Sequence, residues 1–311
     1  MNISNQRNRS KEVLLVAQQL NMNPQEMPAY VRHAIADAYL KLQQPAKAEP
    51  LYLSLFKEKN SVDYSVYAGL YYAYIEQEKF KQANQLFQEM DKTLPTFRYS
   101  DAKGVEPTTH PDRLGYLSLK GLNYAYRNQH AKAEQYFQNL VEHAPSNVAF
   151  QNNLALIQRW REKPLLAEHT VSQWNGMMPI SQTTQINQMQ NAQTLGDIER
   201  WRAINHYLYQ TVPDDTAVQR SRKELNDREH FSIQHSSTWS ESKSDQQLLN
   251  QLKGSNEQNH WTRLNSPWMN DHYRLFADHT YRWSKYQEEK IDDQRVGLGL
   301  EWNKQRKAAS I

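Results

Sequence analysis

Eight side chains stand where a helical repeat would turn them toward a groove: Tyr30, His33, Asp37, Tyr72, Glu76, Tyr126, Asn152 and Arg159. Tyrosine rings beside carboxylates suit a sugar or a cationic chain, because rings stack and carboxylates accept hydrogen bonds. Each position taken singly also reads as a solvated surface residue. Patterns for covalent or metal chemistry do not occur: there is no HExxH, CxxC, P-loop or GxSxG, and the nine glycines form no phosphate loop. His230 with His235, and His272 with His279, are the closest histidine pairs, and their odd separations put the partners on opposite faces of a strand. Asp214–Asp215 and Asp292–Asp293 read as solubilising acids in turns. The chain is therefore read as a non-enzyme that needs no cofactor or metal.

The elements that would position those residues recur. Four alanine-centred segments align: PAKAEPLY (Ala48, Tyr52), FKQANQLF (Ala83, Phe87), HAKAEQYF (Ala133, Phe137) and PLLAEHTV (Ala167, Val171). Nine residues before each alanine stand Tyr39, Tyr74, Tyr124 and Gln158, and twelve residues after it Asn60, Pro95, Pro145 and Pro179. The alanines lie 35, 50 and 34 residues apart, so one unit carries an insertion, Thr96 to Pro111, which reads as a loop. A degenerate fifth unit, Ile186 to Pro213, has Trp201 at its alanine position. This grammar is that of the tetratricopeptide repeat, a pair of antiparallel helices per unit. Alanine sits where helices cross closely, aromatic rings fill the space between them, and proline ends the second helix. Such pairs stack into a superhelix whose first helices line a concave face. TAVQRSRKELNDREH, beginning at Thr216, reads as a last charged helix.

Composition shifts after residue 230, which sets the expected domains: a repeat solenoid over 1–230 and a strand segment over 231–311. Phe231 to Ser240 alternates weakly, ESKSDQQLLNQLKGSNEQN is a polar connector, and YRLFADHTYRW (Tyr273 to Trp283) alternates residue by residue. EEKIDD follows as an acidic turn, then the strand Gln294 to Asn303, then KQRKAASI as a polar tail without strand character. Tyr273, Leu275, Ala277, Tyr281 and Trp283 share one face of the first strand, and Val296, Leu298, Leu300 and Trp302 one face of the second; Phe276 and His279 are out of phase. Both runs have roughly the 9–11 residues of a tilted membrane-crossing strand, and aromatics end their apolar faces as in interfacial girdles. A small soluble sheet packed on the last helices needs the same alternation.

Whole-chain properties bound these readings. The chain has 311 residues, 37 basic against 34 acidic, a net charge too balanced to point to nucleic acid. Mean hydropathy is −0.92, and no apolar run reaches the roughly 18 residues of a membrane helix. The absence of cysteine excludes disulfides and thiolate chemistry. The N-terminal stretch reads as lacking a secretory signal. With at most three or four strands expected, against about eight in the smallest transmembrane barrel, the sheet is either soluble or part of a longer protein.

Three stretches carry a resemblance to a known family. HAPSNVAFQNNLALIQRWREKPLLAEHTV, VPDDTAVQRSRKELNDREHFSIQHSS and LNSPWMNDHYRLFADHTYRW, with the step Ser266-Pro267-Trp268 before a strand, resemble the PgaA family of outer-membrane porins. The resemblance runs from about residue 25 to 305. It implies a periplasmic tetratricopeptide domain followed by the first strands of an outer-membrane β-barrel. It further implies export of poly-β-1,6-N-acetyl-D-glucosamine, guidance of partially deacetylated polymer by the repeats, and docking of a PgaB-like periplasmic deacetylase. The family's signal sequence and most of its barrel are missing, so the chain looks truncated or interrupted. The alternative reading is a soluble tetratricopeptide scaffold that binds a protein or peptide.

Overall fold

The structure, a computed structural model, describes residues 10–19, 23, 26–58, 62–98, 108–172, 181–241, 255–286, 289–304 and 307–310. The chain divides into two compact units: Met1–Thr194 with Arg200–Ser221, and Leu195–Glu199 with Arg222–Ile311.

The first unit is helical. Among the described residues, α1 (Ser10–Gln19) precedes the pairs α2/α3 (Ala29–Lys41, Pro45–Leu55), α4/α5 (Tyr64–Glu76, Phe80–Thr93), α6/α7 (Pro111–Tyr126, His130–His143), α8/α9 (Val148–Trp160, Pro164–Ser172) and α10/α11 (Gln182–Leu195, Ile198–Thr211), then α12 (Thr216–Arg228). Ala48, Ala83, Ala133 and Ala167 are all but inaccessible, and Tyr52, Phe137 and Val171 are buried four residues on. Trp201 is buried at the fifth alanine position, its indole N–H donating to Ser221 Oγ at 2.6 Å. The fifth repeat thus replaces the smallest side chain by the largest and anchors it with a hydrogen bond.

A second row marks the same grammar. Gln43, Glu78, Asn128, Glu162 and Gly196 have φ of 57, 58, 60, 58 and 71°, and each lies five residues before the alanine position. These left-handed residues end the first helix of every pair. In the first four, the next N–H returns to the carbonyl nine residues before the alanine: Gln44 to Tyr39, Lys79 to Tyr74, Gln129 to Tyr124 and Lys163 to Gln158. A polar clamp then joins successive pairs. Glu49 accepts from Gln77 Nε2 at 2.8 Å and Lys79 Nζ at 2.5 Å, and the buried Glu134 pairs equivalently with Arg161 and Lys163.

Proline behaves as its chemistry demands, with α5, α7 and α11 ending just before Pro95, Pro145 and Pro213. Asn60 and Pro179 lie outside the described residues. The insertion, expected to be loop throughout, instead pairs its ends. β1 (Phe97–Arg98) and β2 (Thr108–Thr109) are antiparallel, and Pro111 opens α6 with His110 as its cap.

The second unit is a five-stranded antiparallel meander in the order β3-β4-β5-β6-β7: Ser232–Glu241, Ser255–Asn265, Tyr273–Tyr286, Glu289–Lys304 and Lys307–Ser310. Among the described residues the sheet is open, ending at β3 and β7. Three expectations are corrected. Ser255 to Asn259 of the connector belong to β4. Glu289 to Asp293 of the acidic turn, Asp292–Asp293 included, pair with β5, and Lys307 to Ser310 of the tail pair with β6. Antiparallel pairing continues as far as two adjacent backbones run together, so polar residues join a ladder that their propensity alone would not start.

Register aligns the two faces across strands. Ile233↔Leu264, Leu264↔Ala277 and Ala277↔Leu298 form one apolar row, with Leu275↔Leu300 beside it. That face is open: Val296 is 78% and Leu298 82% exposed. On the opposite face Glu301 accepts from Arg263 at 3.0 Å and Arg274 at 2.7 Å. The out-of-phase Phe276 lies there, 3.6 Å beneath the Arg263 guanidinium, while Trp268 stacks with Arg228 and Arg274, each at 4.6 Å.

Candidate ligand groove

The first helices α2, α4, α6 and α8 lie side by side, so equivalent repeat positions fall into rows. The eight groove candidates resolve into three groups and one outlier. Asp37 of α2 accepts from the Tyr52 hydroxyl of α3 at 2.6 Å (Oδ1), and His33 Nε2 stands 3.5 Å from the same oxygen. Burial, then the Asp37 charge, pushes the Tyr52 phenol far up, so it stays a donor. Tyr30, at the start of α2, is 70% exposed and stands apart from these contacts.

The second group joins α4, α6 and α8. The Tyr72 and Tyr126 rings meet edge to face at 6.2 Å, and Tyr126 meets Trp160 at 6.1 Å with planes at 50°. Burial raises the Tyr72 phenol, and Tyr126 beside it adds to the effect. Tyr126 is raised first by burial, and the nearby Glu76 charge raises it further. Burial also raises the Tyr64 phenol, to about 12, and holds the Glu76 carboxyl above the usual carboxylate range.

The third group faces the fifth repeat. Asn152 is only 4% exposed, its amide donating to Thr184 and its oxygens accepting from Asn187. The Arg159 guanidinium donates to Asn187 Oδ1 at 3.1 Å, Asn191 Oδ1 at 3.0 Å and Gln190 Oε1 at 2.5 Å. Burial lowers its pKa to about 10. Both side chains therefore tie α8 to α10, and their polar atoms face protein.

Two residues that the eight candidates omit stand beside the Tyr72–Tyr126 cluster. Tyr64 opens α4 and lies close to Tyr126. Trp160 ends α8 as Glu76 ends α4 and Tyr126 ends α6, a repeat equivalence present in the sequence. Among the described residues no group of three or more histidine, aspartate or glutamate side chains is placed to hold a metal ion.

No family model matches the chain. The structure superposes on a tetratricopeptide repeat protein from Parabacteroides merdae with a TM-score of 0.50 and 15% identity, covering 72% of this chain and 81% of that one. At that identity the likeness concerns fold, and the class is that of a tetratricopeptide solenoid followed by an open antiparallel sheet. The sequence is narrower in its likeness. It is similar to the poly-β-1,6-N-acetyl-D-glucosamine export proteins of Escherichia coli K12 and O157:H7, at 26% identity over 223 residues and 70% of this chain. The chain spans 27% of the length of these relatives.

Proposed function

We propose that the chain serves export of poly-β-1,6-N-acetyl-D-glucosamine, its solenoid guiding partially deacetylated polymer and docking a PgaB-like deacetylase in the periplasm. The sheet would form part of an outer-membrane β-barrel, and the chain would act without catalysis. The likeness to the two export proteins carries this reading. Two structural features support it. The partly exposed Tyr126 ring lies near the Glu76 carboxylate, which suits glucosamine units carrying ammonium groups. The sheet leaves its apolar face open and keeps its ion pairs on the other, as a lipid-facing strand pair does.

Calorimetric titration of the full chain with partially deacetylated and fully acetylated glucosamine oligomers tests the polymer reading. Binding of the deacetylated oligomer that weakens as salt rises is the expected result. No heat with either oligomer overturns it.

A second reading, a scaffold for a protein or peptide, is supported by the tetratricopeptide fold itself. Capture of a peptide ligand by a groove indifferent to both oligomers favours it.

A further inference from the structure

The last residues of three successive first helices fall into one row: Glu76, Tyr126 and Trp160, each seven residues before its repeat's alanine. Helices lying side by side place Tyr126 between the helices that carry Glu76 and Trp160. Several large rings of the solenoid, Tyr52, Tyr71, Tyr116 and Phe137 among them, are almost completely buried. Tyr126 and Trp160, by contrast, are 37% and 40% exposed and lie against each other.

Their placement is fixed from behind. Tyr72 meets Tyr126 edge to face, its hydroxyl against the Tyr126 hydroxyl, and His130 lies 6.0 Å from Trp160 on the next helix. The two open rings meet at 50°, so they form the walls of a shallow notch rather than one flat surface. Glu76 adds a carboxylate close enough to act on the Tyr126 phenol.

We infer that Trp160, Tyr126 and Glu76 form a subsite for one deacetylated amino-sugar residue. A pyranose ring presents a face of C–H groups that packs on an indole, while its equatorial polar groups point outward to the rim. One sugar ring would pack against Trp160 with Tyr126 at its edge. An ammonium group on that sugar donates a charge-assisted hydrogen bond to Glu76 and gains from the adjacent ring faces. An N-acetyl group there brings no positive charge and leaves the carboxylate without a counter-ion. The subsite therefore selects the free amine, and the aromatic pair alone accepts either sugar. This inference rests on the polymer-guidance reading and adds a place and a selectivity to it.

Calorimetry on the full chain separates the two. Trp160→Ala is expected to weaken binding of deacetylated glucosamine oligomers about tenfold, and Trp160→Phe to restore most of it. Glu76→Gln is expected to weaken the deacetylated oligomer by about tenfold, leave the acetylated one unchanged, and flatten the salt dependence. Circular dichroism with Trp160→Phe checks that the solenoid is intact. Unaltered affinity in Trp160→Ala and Glu76→Gln, with the wild-type chain still binding, overturns the subsite and leaves polymer guidance standing. A wild-type chain that binds neither oligomer overturns both. Wild-type binding of an aromatic-basic peptide through the same two residues, with no response to either sugar, assigns the notch to a peptide and overturns the inference.

Discussion

Ala133 shows how much a single side chain decides in a solenoid. It is wholly buried where α7 crosses its neighbours, and Phe137 one turn on fills the space beside Gly121. Ala133→Leu should therefore lower stability by about 1–3 kcal/mol, read from urea denaturation, since the added carbons have nowhere to go. Glu76 works in the opposite sense. Burial raises its folded pKa above the unfolded value, so ionisation opposes folding. The penalty is absent below the unfolded pKa and complete above the folded one. Glu76→Gln should thus raise the melting temperature at pH 7 and leave it unchanged near pH 3. A loss of stability at pH 7 would show that the carboxylate is a structural partner instead. Spacing reveals both residues as repeat positions, but only three-dimensional neighbours show that one is packed and the other strained by its surroundings.

Each first helix ends on a left-handed residue, and in four of five repeats that residue has a side chain. A side chain there costs about 1–2 kcal/mol, less for asparagine, and glycine avoids most of it. Glu78→Gly and Glu162→Gly should each raise stability by up to about 1 kcal/mol in thermal melts, with little gain from Asn128→Gly. Equal or lower melting temperatures would mean that these side chains make compensating contacts. The helix pairs were legible because alanine, tyrosine and proline repeat at fixed spacing. Strand limits were not: EEKIDD has turn chemistry, yet Asp292 and Asp293 pair with Trp283 and Arg282. Pairing with a neighbour overrode local preference there, and a single strand's residues do not record its neighbour's length.

At the scale of the whole molecule, the telling feature is an apolar sheet face whose described side chains are exposed. In a soluble sheet that face is the core, whereas here Ile233, Leu275, Val296 and Leu298 are exposed. If lipid covers it, Leu298→Glu should sharply reduce flotation of the full chain with liposomes. A negative charge added on the opposite face, Gln234→Glu, should not. A charge near the midplane of a bilayer costs up to about 2–4 kcal/mol. Equal flotation of wild type and Leu298→Glu would remove the sheet from the membrane.

From sequence alone came the helix-pair period, the insertion, the degenerate fifth unit with its tryptophan, and the two unlike faces of the strands. These are periodic properties, and periodicity is written along the chain. The tertiary structure alone decided which groove residues remain open. It committed Asn152 and Arg159 to the fifth repeat, brought the Tyr126 and Trp160 rings together from two helices, and left Val296 and Leu298 of the sheet exposed. Exposure depends on what packs against a residue from distant parts of the chain, and no local pattern encodes that.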